Sequence, residues 1–514
     1  MPLKRDEEPV QSWIIELQKT KKQNKKRPFM TANSKRNRSL QQAKLKLPGQ
    51  KIFNVDDQGG FLSNLGGLLP AARLAEDTGL IQTAANLIPE WRDSRYTDFP
   101  VDELLLQRVL LAACGQPDAI DCSILKNDPA LKCALGREPD GPPLASQSTH
   151  TKFEQSIDEF TIASLEGLPL KFFIQQQKHA PQRLTVYVDG TAIQTFGSQQ
   201  MSTWRGGKYS QSQYFPLLAT TDQGDLLLAE LRSGGYHDAR SAETIVKLVC
   251  DIRVVWPNIK LTIVMDTGFN SPRLLEQLEK LNVQYVIGYP AMSSVKSKIK
   301  DIIKAAEKQF KKLYGEPLYI GKGNKKKWQK EHERIRSLPS KERNAAEKLA
   351  ASRHYRIIYG LLHNGSSWTK DRPVLVRVDY TDKGLDIRCV VTNIEDSTAE
   401  KIYEEKYCRR SRIEMFIKEN KSHCKVPLSC QTFTANQYRF TAIQGLAYML
   451  LHMLRKELPA SQKQVSLNSV RNRFLLVPVQ IISTPRRLCW RLSSVHPHTA
   501  TVISMCKKLQ SRTA

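Results

Sequence analysis

Residues 184–191 read Leu-Thr-Val-Tyr-Val-Asp-Gly-Thr, a run rich in β-branched and aromatic side chains that is stopped by an aspartate and a turn dipeptide. Leu184 to Val188 is therefore expected as a strand ending at Asp189, with Gly190-Thr191 as its turn. Working outward, Thr191–Phe196, Tyr214–Thr220 and Leu226–Leu231 read as further strands. The period turns helical over Ala239–Val255 and closes at Trp256-Pro257. Leu261-Thr-Ile-Val-Met265 then returns to strand, and it too ends in an aspartate, Asp266. Thr267-Gly268-Phe269 leads into a helix over Pro272–Leu281, where proline suits the first turn, and Val283–Ile287 is one more strand. Antiparallel strands followed by alternating helix and strand predict an α/β fold, a mixed sheet flanked by helices.

A later stretch, Tyr403 to Lys425 (YEEKYCRRSRIEMFIKENKSHCK), holds neither proline nor glycine, so an uninterrupted helix is expected. At about 100° per residue, Arg410, Glu414 and Lys421 fall within roughly 60° of Tyr407 on a helical wheel. Ile413, Phe416 and Ile417 lie to one side and would anchor the helix to a core. Taken alone, the spacing also fits a solvated face with an Arg410–Glu414 salt bridge.

Asp189 and Asp266 each terminate a buried strand, where a carboxylate is costly unless something pairs with it. For either alone a turn cap is the simpler explanation. Together with Glu414 they make an all-oxygen triad suited to two Mg²⁺ ions about 3.5–4 Å apart, because Mg²⁺ is a hard cation that keeps open positions for substrate. The histidines are dispersed and no CxxC pair exists, so no zinc site competes.

The flanks are basic. Residues 1–50 carry thirteen Lys/Arg against four Asp/Glu, densest at Lys21 to Arg27, and read as a disordered tail that grips phosphate or merely solubilises. Residues 51–180 are helical, with a buried helix expected in VDELLLQRVLLAAC and several capping candidates in Leu144–Phe153. Ala291–Ala350 holds seventeen basic and seven acidic residues, including Lys325-Lys326-Lys327-Trp328. Strand-like runs follow at Tyr355–Leu362, Val374–Tyr380 and Leu385–Asn393, so 292–395 is expected as an inserted basic, β-rich domain. Ala435–Leu458 reads as a long apolar helix. The C-terminal region, 459–514, adds strand-like runs at Phe474–Ile482 and Leu488–Leu492 and is expected to serve dimerisation or DNA contact.

Across 514 residues, 78 basic against 51 acidic side chains give +27, which calls for an anionic partner, with nucleic acid favoured over a membrane surface. No stretch offers the 18 or so apolar residues of a membrane helix, and no apolar core of a signal peptide follows the basic start. Ten cysteines without paired spacing suggest reduced thiols and an intracellular setting.

Tyr407-x2-Arg410-x3-Glu414-x6-Lys421 resembles the Tyr-Arg-Glu-Lys signature of bacterial insertion-sequence transposases of the DDE class. VDGT at 188–191 and DTGF at 266–269 look like that family's first two catalytic segments, and separations of 77 and 148 residues leave room for its insertion domain. NDPALKCALG (127–136), LASQST (144–149) and ANQYRF (435–440) resemble one branch of the group. The resemblance covers roughly residues 60–510. It implies a ribonuclease-H-like core at 181–291 and 396–458, interrupted by 292–395; the residues of the helical 51–180 region themselves leave open DNA-end binding or plain helical packing. It implies metal ligation by Asp189, Asp266 and Glu414, with Mg²⁺ or Mn²⁺ as the ion. It implies DNA-phosphate contacts by Tyr407, Arg410 and Lys421. The implied activity is cut-and-paste transposition on terminal inverted repeats and target DNA, by a homodimer in a synaptic complex, in the bacterial cytoplasm at the nucleoid. Two other readings stay open: a catalytically silent DNA-binding descendant, and a ribonuclease-H-like nuclease that cuts without joining.

Overall fold

In the computed structural model, residues 42–46, 51–206, 210–317, 324–382 and 384–512 are described. Residues up to Gly60 and residues from Phe61 onward are two units. Among its described residues the first forms an antiparallel pair, β1 (Gln42–Lys46) with β2 (Ile52–Asp56), in the register Gln42 to Asp56. Residues 42–46 thus depart from the disordered tail expected over 1–50, because backbone pairing with β2 satisfies their polar groups. The Lys21–Arg27 cluster lies outside the described residues.

The second unit begins with β3 (Phe61–Ser63), and helices occupy most of the chain from Leu68 to Gln175. Val101–Ala113 is the buried helix expected there, with both Leu104 and Leu111 almost fully buried. Then come β4 (Arg183–Gly190), the short β5 (Ile193–Gln194), β6 (Thr203–Arg205), β7 (Gln211–Tyr214), β8 (Leu217–Thr221) and β9 (Leu226–Glu230). β10 (Lys260–Met265) and β11 (Gln284–Tyr289) follow, separated by the helix Pro272–Lys280. β12 (His354–His363), β13 (Arg372–Thr381) and β14 (Gly384–Thr392) are next, and β15 (Val479–Thr484) and β16 (Arg487–Leu492) close the chain's strand content.

Eight strands form one sheet in the order β12-β13-β14-β11-β10-β4-β8-β9. β4, β10 and β11 are parallel, and all other neighbours are antiparallel. Side-chain alternation sends successive residues to opposite faces. Tyr187, Val264, Val286, Leu375 and Val390 join the core under the helix Gly445–Glu457. Their neighbours Val186, Val188, Ile263, Met265, Ile287 and Val391 join the core under the helices Ala242–Val255 and Pro272–Lys280.

Three expectations need correction. The strands of 292–395 do not build a separate β unit: β14 pairs with β11, so β12–β14 extend the main sheet, while the basic part of that segment is helical. Strand exchange with the sheet edge satisfies backbone groups that an isolated three-stranded piece would leave open. The 403–425 helix is not regular. Residues Ile402–Tyr407 and Glu419–His423 are π-helical, flanking the α-helix Arg410–Lys418. Finally, Phe474 and Leu475 finish a helical turn rather than start a strand, leaving β15 to begin at Val479.

Candidate active site

The register of two parallel strands sets the site. Val188 of β4 lies beside Met265 of β10, so the next residues stand side by side at the same end of the sheet: Asp189, still within β4 and opposite Leu218 of β8, and Asp266, just past the end of β10. Asp266 caps the turn Thr267–Phe269, accepting a hydrogen bond from the Gly268 amide at 2.7 Å. This is the turn-cap role its sequence suggested, and it leaves the second carboxylate oxygen uncommitted to that cap.

The helix Arg410–Lys418 brings the third carboxylate. Its buried side carries Phe416 and Ile417 into the core, as expected. Gly224 allows Phe416 to seat, since a Cβ there would come within 2.8 Å of the ring. Just beyond, Glu419 is buried, accepts from Arg455 Nη1 at 2.9 and 3.0 Å and from the Leu467 amide, and so fixes the helix end. With that side held, Arg410 faces the strand ends: Nη2 donates to Glu414 Oε1 at 2.9 Å while Nη1 stands 3.8 Å from Asp189 Oδ2. One guanidinium therefore sits between two of the three carboxylates. The salt bridge and the candidate site are the same feature.

Tyr407 lies against Arg410, whose Cζ is 6.0 Å from the ring centroid. Its hydroxyl reaches Gly288 on β11, where a Cβ would stand 2.8 Å away. Lys421 Nζ donates to Thr191 Oγ1 at 3.1 Å, two residues past Asp189. The structure thus gathers all six predicted residues, Asp189, Asp266, Tyr407, Arg410, Glu414 and Lys421, at one end of the sheet. It does not bring the three carboxylates into mutual ligand distance. The Glu414 side chain is 58% exposed and turned to Arg410, and among the described residues no three acidic, His or Cys groups are arranged to hold a metal.

One acidic residue escaped the sequence reading. Asp238 opens the turn Asp238–Arg240, and its carboxylate lies over the two glycines that follow the aspartates. A Cβ on Gly190 would collide with Asp238 Oδ1, and one on Gly268 would stand 2.9 Å from its Oδ2. The glycines in VDG and DTG were the legible signal, since glycine in a strand-end turn marks close approach. What approaches could not be read from them.

Crowding shows in the ionisation. Burial, then the neighbouring Asp266, pushes the Asp189 carboxyl up to about 7, against the pull of Arg410. Burial and Asp266 likewise raise Asp238 to about 6. Negative charge concentrated at one site with cations behind it suits a hard divalent cation bound by oxygen. Asp189, Asp266 and Glu414 would be the side chains to hold such an ion: they offer an all-oxygen donor set that fits it, with Arg410 standing between Asp189 and Glu414.

Two carboxylates thus stand at neighbouring parallel strand ends, with an arginine and a lysine beside them. A family model described as "Transposase DDE domain group 1" matches residues 46–514, and the chain belongs to that family. Membership makes it a transposase, by class a polynucleotidyl transferase or endonuclease, in a group that generally uses divalent metal ions. No curated protein matches the chain. Among solved structures it is similar to a piggyBac transposase in a synaptic complex with hairpin DNA. That similarity stands at 11% identity and a TM-score of 0.35, over 80% of this chain and 79% of that one. Among the described residues no helix is long and apolar enough to cross a membrane.

Proposed function

We propose that this chain cleaves DNA at the terminal inverted repeats of a mobile element and joins the freed ends to a target, using Asp189, Asp266 and Glu414 with Mg²⁺. The observation that carries the reading is the pairing of Val188 with Met265, which sets two carboxylates side by side while an independent helix delivers the third to Arg410. The strand order β9-β8-β4-β10-β11, three antiparallel strands and then two parallel ones, supports a ribonuclease-H-like core. Divalent ions at such a site activate a water or 3′-hydroxyl and stabilise the leaving oxygen.

The chain's own groups do the rest. Arg410 neutralises Asp189 and Glu414 in the metal-free protein. Its planar fork also suits a DNA phosphate, so the same guanidinium would serve the substrate backbone beside these carboxylates. Lys421, on Thr191, places a second positive charge beside the strand ends, and Tyr407 presents a hydroxyl on the same side. Exposed Arg409 and Arg412 extend the charge outward along the helix. Two ends must be processed together, so the working form is a homodimer holding both.

The test is cleavage and joining of inverted-repeat DNA by purified protein with Mg²⁺. Asp189→Asn, Asp266→Asn and Glu414→Gln are each expected to lower cleavage at least about a hundredfold while retaining end binding. A substitution that cuts at the wild-type rate removes its residue from the site. Cleavage without joined product would leave a nuclease, and shifted but uncut DNA a silent binder.

A further inference from the structure

The strands that extend the sheet carry charge on the face turned to the 402–418 helix. Arg377 of β13 stands directly opposite Arg388 of β14, and Asp379 directly opposite Asp386. Like charges opposite one another in a sheet are destabilising unless something compensates them. Arg356 of β12 donates to Asp379 from Nε at 2.7 Å and from Nη2 at 3.1 Å. Arg377 Nη2 and Arg388 Nε both donate to Asp386 Oδ2, at 3.2 and 3.1 Å. Arg377 thus shares one carboxylate with its like-charged neighbour. Its Nε is buried, stands 3.2 Å from Asp379 Oδ2 and makes no hydrogen bond. The flat face of that guanidinium is left for another contact.

The contact is Tyr403. The guanidinium carbon of Arg377 lies 5.5 Å from the Tyr403 ring centroid, within reach of a cation–π interaction. The Tyr403 hydroxyl is buried without a hydrogen bond, so the ring is held by its faces and not by its polar end. Its centroid is 5.5 Å from that of Tyr407, and the Arg410 carbon lies 6.0 Å beyond the Tyr407 ring. Arg410 ends the row on Glu414 and Asp189. Cation, ring, ring and cation therefore run in sequence from β13 to the carboxylates. The row crosses the wide turn in which the Cys408 amide bonds the Tyr403 carbonyl. That turn is clamped from the sheet at two points, by Arg377 on Tyr403 and by Arg356 Nη1 donating to Glu404 Oε1 at 3.4 Å.

We infer that Arg377 is a positioning residue of the site: through Tyr403 and Tyr407 it sets where the Arg410 guanidinium stands. The inference rests on the reading of Arg410 as a phosphate contact beside the cation ligands. Chemistry that depends on alignment loses rate steeply when a placed group shifts, so the residues that hold such a group matter as well.

The experiment measures single-turnover cleavage of inverted-repeat DNA by the full-length protein in Mg²⁺, with DNA affinity and melting temperature read on the same samples. Arg377→Met keeps the length and removes the flat cation. It is expected to slow cleavage of bound DNA on the order of tenfold, with DNA affinity at the wild-type level. A double-mutant cycle with Arg410→Ala separates positioning from a general structural role. If Arg377 acts through Arg410, adding Arg377→Met to Arg410→Ala slows cleavage little further. If the two losses multiply in full, Arg377 acts elsewhere and the inference is overturned. Should Arg377→Met melt below the assay temperature, Arg377→Lys takes its place. It keeps the charge beside Asp379 and Asp386, loses the flat face on Tyr403, and is expected to show the same non-additive loss. Wild-type cleavage by the folded variant, with loss in Arg410→Ala, overturns the positioning role and leaves the parent reading standing. Wild-type cleavage by Arg410→Ala itself overturns both.

Discussion

Arg410 holds opposing charges in balance. In the metal-free protein it offsets Asp189 and Glu414, yet it is a half-buried helix-face cation whose pair with the exposed Glu414 is worth about 0–1 kcal/mol to folding. Arg410→Ala is therefore expected to leave the urea midpoint nearly unchanged while cutting DNA cleavage on the order of a hundredfold. A collapse of stability in that variant would make the arginine structural. The raised carboxyls give a second expectation. An acid whose pKa is higher folded than unfolded binds more protons in the folded state. Its favourable share is therefore present below the unfolded value, near 4, and is lost as pH rises through the folded one. With Asp238 at about 6 and Asp189 at about 7, the metal-free protein should lose melting temperature between pH 5 and pH 8. Added Mn²⁺ should restore more of it at pH 8 than at pH 5, since the ion competes with protons for the same oxygens. A flat profile with and without the ion would contradict the crowding. At this scale the sequence was informative where chemistry is local: an aspartate after an apolar strand, a glutamate one turn past an arginine. Asp238 lay on a short turn in YHDAR with no periodicity to flag it, and its importance comes from two distant glycines.

At the scale of elements, the segment from Ile402 to His423 shows why a wheel drawn on sequence succeeds only in part. The Cys408 amide bonds the Tyr403 carbonyl and the Cys424 amide bonds the Glu419 carbonyl, each five residues back, so two wide turns flank the regular helix. Such turns depend on tertiary contacts and leave no mark in composition. The four signature residues still face the strand ends, because Glu419 and Phe416 fix the opposite side. Deleting exposed Glu404 would convert the first wide turn toward a regular one and rotate Tyr407 and the preceding link relative to Arg410. Cleavage should fall sharply with little change in far-ultraviolet circular dichroism; wild-type cleavage would show that the wide turn has no role. Glu419→Ala tests the anchor. Leaving Arg455 buried without its carboxylate is expected to cost about 3–5 kcal/mol in denaturant unfolding, and a loss below 1 kcal/mol would show the pair to be dispensable.

For the whole molecule, the sheet's extent was the least legible feature. Each of the strands β12 to β14 was apparent in its own alternation, but whether they rejoin the core after a long basic helical excursion is a question of pairing across distance, which a single sequence does not encode locally. The result sets the two aspartate strands among the inner members of eight, with β9 and β12 as the edges. The net charge of +27 acts at this scale as well. Binding to inverted-repeat DNA should weaken by roughly a thousandfold or more between 50 and 200 mM salt if six or more phosphates are neutralised. A shallow salt slope in a filter-binding or anisotropy titration would confine contact to a few residues.

The pairing of β3 with β15 joins Phe61–Ser63 to Val479–Ile481, and the Gly66 and Gly67 amides reach the Val477 and Leu475 carbonyls. A nascent polypeptide halted on the ribosome before these late residues emerge would expose those early amides and the apolar seam beside them. This seam therefore cannot close until residues 475–481 have been made. Premature-stop products ending upstream of Val477 should accordingly be cleared by proteases and cut nothing.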